Sequence, residues 1–125
     1  MAKVVFVGLE QFAASQIGRV LVLDSHSIEQ KPHDATLQDL IEADIVFAGG
    51  EPAYYLSLLR LVRTARPSIP FVVVTRMPET TAWLDALEAG ATDYCSAPFD
   101  IRQIRWLMES ALPRRALPQQ MYAAA

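Results

Sequence analysis

The chain has 125 residues, 52% of them apolar and 20% charged, which supports one buried core and hardly two. Fourteen acidic residues against eleven basic ones give a net charge of -3, and with no Lys/Arg stripe the composition argues against direct nucleic-acid binding. The apolar runs are strand-sized, far short of the roughly 20 residues of a membrane helix, and Met1-Ala2-Lys3-Val4 leads straight into a strand pattern, with no room for a secretory signal.

Val4 to Val7, ended by Gly8, reads as a first buried strand, and Val20 to Leu23, after Gly18-Arg19, reads as a second. Only Gly8 to Arg19 lies between them, near the roughly 10–12 residue minimum for a crossover, so the first helix is expected to be very short. Leu37, Leu40 and Ile41 suggest a short helix behind Asp34, and Ile45 to Ala48 before Gly49-Gly50 is a third strand. Tyr55, Leu58, Leu59 and Val62 follow the i, i+3, i+4, i+7 rule in a helix from Ala53 to Ala65, where Tyr54 and Leu61 add a second apolar stripe. Phe71 to Val74 is a fourth strand. Thr80 or Thr81 caps a helix carrying Trp83, Leu84 and Leu87 that stops at Gly90. A fifth strand covers about Asp93 to Ser96, and Asp100 caps a last helix with Ile101, Ile104, Leu107, Met108 and Ala111 on one stripe.

Apolar strands alternating with helices call for a parallel sheet covered on both sides, a doubly wound five-stranded α/β domain over residues 1–112. Residues 113–125 contain two prolines and no periodicity, and read as a tail or as a linker toward a further domain. The lone Cys95 has no internal disulfide partner and no neighbouring His; it reads as an inert buried thiol in a reducing cytoplasm.

From Asp44 onward the chain resembles the receiver domains of bacterial response regulators. Gly90-Ala91-Thr92-Asp93-Tyr94-Cys95-Ser96-Ala97-Pro98-Phe99-Asp100 is similar to the family's fifth-strand motif, and Asp44 to Pro52 and Ile69 to Thr75 are similar to its third and fourth strands. The resemblance implies a flavodoxin-like sheet of order 2-1-3-4-5 with its crevice at the carboxyl ends of the first and third strands. It also implies where phosphorylation chemistry would sit, and here most of its parts are missing. The acidic pair after the first strand is replaced by Gly8-Leu9, with Glu10 one place late. The acceptor position falls on Gly49, and the lysine position is Ala97. Thr75 alone remains of the phosphorylation set, and Tyr94 matches the family's aromatic switch position.

Phosphoryl transfer to a carboxylate needs that carboxylate as nucleophile, a hard cation on oxygen ligands and a positive group to offset the developing charge. Glycine offers nothing to phosphorylate, and losing the acidic cluster removes the repulsion that the lysine would offset. The expectation is a non-enzymatic pseudo-receiver with no cofactor or metal, which docks on a protein: a signalling kinase, an effector domain or a second copy of itself. Arg102, Trp106 and Glu109 lie on the outer face of the last helix and with Tyr94 are the candidate interface. The alternative is a small-ligand sensor using the vacated crevice between Gly8, Gly49 and Thr75. An active receiver would need an atypical acceptor, Glu10, Asp24 or Glu51. His26 and His33, seven apart with Asp24 and Asp34 nearby, read as solvated loop residues rather than metal ligands.

Overall fold

The computed structural model describes residues 2–77 and 79–112, so the expected tail, 113–125, lies outside the described residues. The elements in chain order are β1 (Lys3–Val7), α1 (Gln11–Leu23), β2 (Ser27–Lys31), a 3-10 turn (Leu37–Leu40), β3 (Ile45–Ala48), α2 (Pro52–Ala65), β4 (Phe71–Thr75), α3 (Thr80–Glu88), β5 (Asp93–Ser96) and α4 (Ile101–Ala111). All strand pairs are parallel and the sheet order is β2-β1-β3-β4-β5. The five-stranded doubly wound architecture expected from the sequence is the one observed.

Alternation along β1 divides the core in two. Val4 and Phe6 face α1 and α4 together with Ile17, Leu21, Ile104 and Leu107, and the Phe6 and Phe47 rings meet edge to face at 5.8 Å. Val5 and Val7 face the other way, packing with Leu58, Leu59 and Val62 of α2. β1, β3 and β4 are apolar on both faces because each face is covered by helices.

The amino-terminal part departs from expectation. Val20 to Leu23 is not a strand but the last turn of α1, which has 13 residues and is not shortened. Ala13, Ala14, Ile17, Val20 and Leu21 are buried on one helical stripe, whereas Val22 and Leu23 are 63% and 71% exposed. Four consecutive apolar residues cannot distinguish the two periods, and Gly18-Arg19, which resembles a turn, sits within the helix. The true second strand, Ser-Ile-Glu-Gln-Lys, is polar because it lies at the sheet edge.

The shortened crossover is instead the second one, where a single 3-10 turn stands between β2 and β3. Its carbonyls are gathered by a distant side chain: Arg66 donates from Nη1 to Leu40 O at 2.8 Å, Ile41 O at 3.1 Å and Ala43 O at 3.0 Å. Arg63 does the same one turn earlier, donating to Gly90 O, Ile69 O and Thr92 Oγ1 and so tying α2 to the entrances of β4 and β5. α3 also differs from expectation. Glu79, not a threonine, is its N-cap, and only Ala86 is buried, leaving Trp83, Leu84 and Leu87 exposed. The last helix matches: the Asp100 carboxylate accepts from Arg102 N at 2.7 Å, and Ile104, Leu107 and Met108 are buried, while Ile101 is exposed.

Arg66→Met should lower stability by about 2 kcal/mol, the scale of hydrogen bonds from a charged donor. Urea denaturation measures this, and backbone amide exchange should accelerate first around the 3-10 turn. A loss no larger than an exposed arginine's would show that the turn holds without it.

Candidate functional site

The carboxyl ends of β1, β3 and β4 converge on a cleft of about 320 Å³ that brings together Gly8, Leu9, Gly49 and Thr75. Ala97 is not part of its lining; it is half-buried against the core on the α1 and α4 side. The floor of the cleft is steric rather than electrostatic. A Cβ placed on Gly49 would lie 3.0 Å from Leu9 Cδ2 and 3.0 Å from the Val74 carbonyl oxygen. Leu9, at one of the two positions where the resemblance places the family's acidic pair, therefore crowds the space a side chain at 49 would need. Gly8 has φ +63°, and its Cβ would meet His33 Cβ at 2.9 Å. A side chain there meets both an unfavourable backbone and an occupied neighbourhood.

Across the cleft mouth runs an ion pair that the sequence reading missed. Arg76 Nη1 lies 3.1 Å from Glu10 Oε2, joining the loop after β4 to the N-cap of α1, and the Arg76 guanidinium carbon lies 6.0 Å from the centre of the Phe12 ring. The only signal was a charged residue directly after the strand-ending threonine. Both partners are substantially exposed, so the pair is worth at most about 1 kcal/mol. Thr75 Oγ1 accepts from Met77 N at 3.2 Å and donates to Met77 O at 3.3 Å, so its hydroxyl shapes the loop after β4.

The other candidates are dispersed. His26 and His33 sit beyond opposite ends of β2, not together in one loop, and the five-residue strand between them spans roughly 17 Å. His26 Nδ1 accepts from Ala2 N at 3.0 Å, and burial holds its pKa below the ordinary histidine value. His33 lies against Tyr54, ring centres 4.4 Å apart. Asp24 lies past the end of α1, where Arg105 Nε and Nη2 both reach it at 2.8 Å; these hydrogen bonds lower its pKa. Burial, followed by the charge of Asp93, pushes the Cys95 thiol up to about 12.

Tyr94 is half-buried against the α2 side of the core. On α4, Trp106 is 60% exposed, and Arg102 and Glu109 are exposed with it. Tyr54 and Leu61 of the second α2 stripe are exposed as well. Among the described residues no helix is long and apolar enough to cross a membrane.

No family model matches the chain. In sequence it is similar to the DNA-binding transcriptional regulator NtrC of Escherichia coli (strain K12), 30% identical over 82 residues, covering 66% of this chain and 17% of that protein. It is also similar to the transcriptional regulatory protein ZraR of Salmonella typhimurium, 29% identical over 86 residues, 64% of this chain and 19% of that protein. The chain thus spans less than a fifth of the curated relatives it matches. The receiver domain of NtrX from Brucella abortus superposes with a TM-score of 0.77 at 20% identity, over 88% of this chain and 98% of that one.

The fold is the one seen in response-regulator receiver domains. Its sheet order is that of the receiver fold, and the proteins it is similar to in sequence are transcriptional regulators.

Gly49→Asp should cost about 1–3 kcal/mol by overpacking, and Leu9→Ala in the same chain should recover part of it. A double-mutant cycle in urea measures the coupling. Equal costs with and without Leu9 would mean that Leu9 does not close the position.

Proposed function

We propose that this domain is a receiver-like signalling module that is not switched by aspartyl phosphorylation and acts by docking on another protein. The observation that carries the reading is the packing of Leu9 against Gly49. The acceptor position has no carboxylate, and a Cβ there would press on Leu9 Cδ2 and the Val74 carbonyl, each 3.0 Å away. Ala97 removes the family's lysine position, and the guanidinium nearest the cleft is engaged with Glu10. Of the alternative acceptors, Glu10 is held by Arg76 and Asp24 is held by Arg105. Such a module is non-enzymatic, needs no cofactor and works in the cytoplasm.

Docking is assigned to the surface of α3, β5 and α4. Trp106 stands out from α4 between Arg102 and Glu109, and α3 turns Trp83, Leu84 and Leu87 to solvent. Exposed tryptophan and arginine are the residue types that dominate binding energy at interfaces. The partner is a signalling kinase, an effector domain or a second copy forming a homodimer. A second reading places a small ligand in the cleft, with Arg76 as its charged contact; Leu9 in the floor and Glu10 on the guanidinium favour the first.

Incubation with acetyl phosphate and Mg²⁺ should leave the intact mass unchanged. A stable phosphoryl adduct on an Asp or Glu would overturn the reading. Trp106→Ala should weaken self-association or partner binding by about 2 kcal/mol or more, read by sedimentation and pull-down, whereas unchanged behaviour in both would remove α4 from the docking surface.

A further inference from the structure

A second concavity, a groove of about 590 Å³, lies on the other flank, between α1 and the edge strand β2. Phe6, Gly18, Val22, Leu23 and Ile28 give it apolar walls, and Val22 and Leu23 are more exposed than most apolar side chains of this chain. They are the same residues whose hydrophobicity imitates a strand in the sequence, and burial in this domain does not account for them.

The strand beside the groove has unused hydrogen-bonding capacity in register with it. Ser27 N donates to Ala2 O and Gly8 N donates to Lys31 O, so Ser27, Glu29 and Lys31 turn their backbone groups toward β1. The alternation of a parallel ladder then points the N–H and C=O of Ile28 and Gln30 away from the sheet. Ile28 and Gln30 are also the two β2 residues whose side chains line the groove. Free backbone pairing and an apolar receptacle thus coincide at the same two residues.

Charge narrows the occupant. Arg19 stands on the groove rim and has no ion pair or side-chain hydrogen bond among the described residues, whereas Lys31, on the opposite face, is paired with Glu29 at 3.5 Å and Asp39 at 3.9 Å. A second copy fits poorly. The antiparallel two-fold register that would use both Ile28 and Gln30 sets Glu29 directly against Glu29 of the other copy, a repulsive pair.

We propose that β2 and this groove form a docking site for an extended peptide segment of a partner protein. The segment adds a strand at Ile28 and Gln30, seats an apolar side chain in the groove and turns a carboxylate toward Arg19. Affinity comes from main-chain pairing and specificity from the alternate side chains. The site lies on the sheet edge opposite β5, so a partner here leaves the α3, β5 and α4 surface free.

The test is amide exchange by NMR on the full chain with short synthetic peptides carrying valine or leucine at the central position and aspartate two residues away, on the same face of the strand. Exchange at Ile28 and Gln30 should slow by about tenfold or more, and lysine in place of aspartate should weaken binding by a similar factor. Gly18→Leu should abolish binding with the fold intact, because a Cβ at that helical position lies in ordinary contact, 3.5 Å from Ile28 Cδ1, and the added side chain grows into the groove. Gln30→Pro, which deletes one outward N–H at an edge where proline is tolerated, should weaken binding independently. The proposal is overturned if no peptide protects Ile28 and Gln30, or if aspartate and lysine peptides bind equally. It is also overturned if protection rises with protein concentration alone, the mark of a second copy.

Discussion

The contact between Leu9 and the backbone at Gly49 governs how the top of this sheet can be used. In a doubly wound domain the carboxyl ends of the central strands are where chemistry is placed, because loops there are free to vary over a rigid, doubly covered sheet. Here the two central strands end in glycines: Gly8 has a left-handed backbone, and Gly49 is walled in by Leu9 and the Val74 carbonyl. Close packing couples these positions. A residue returned to one position meets a neighbour that has already taken its volume. The arrangement leaves a cleft of about 320 Å³ floored by closely packed loops and bridged at its mouth by a weak exposed ion pair.

Besides its top, the domain presents two flanks. The α3 and α4 side exposes two tryptophans, and the α1 and β2 side exposes an apolar groove beside unpaired backbone. Both features arise from helices that are less buried than the hydrophobicity of their sequences suggests. A helix against a sheet hides only one stripe, and α1 and α3 carry apolar residues beyond it. Surfaces of that kind suit association more than solvation.

Two arginines compensate for economy elsewhere. Replacing a crossover helix by one 3-10 turn leaves carbonyls with no helical partner, and Arg66 collects three of them. Arg63 gathers three acceptors around the starts of β4 and β5. The forked guanidinium suits this role because one group can serve several acceptors at once.

Much of this was legible from the amino acids alone. β3, β4, β5, α2 and α4 follow from uninterrupted apolar runs and a clear 3.6-residue period. The parallel order follows from their alternation with helices, and the glycines at 8 and 49 and the alanine at 97 are matters of residue identity. Tertiary structure decided what local pattern left degenerate. Val20 to Leu23 belongs to a helix because Ala13, Ala14 and Ile17 extend its buried stripe, and β2 can be polar because it is an edge strand. The stripe on α3 turned outward, since exposure depends on what packs opposite and not on the helix's own period. Contacts between residues far apart in the chain, Glu10 with Arg76 and Leu9 with Gly49, leave no trace in local spacing because the fold alone brings them together.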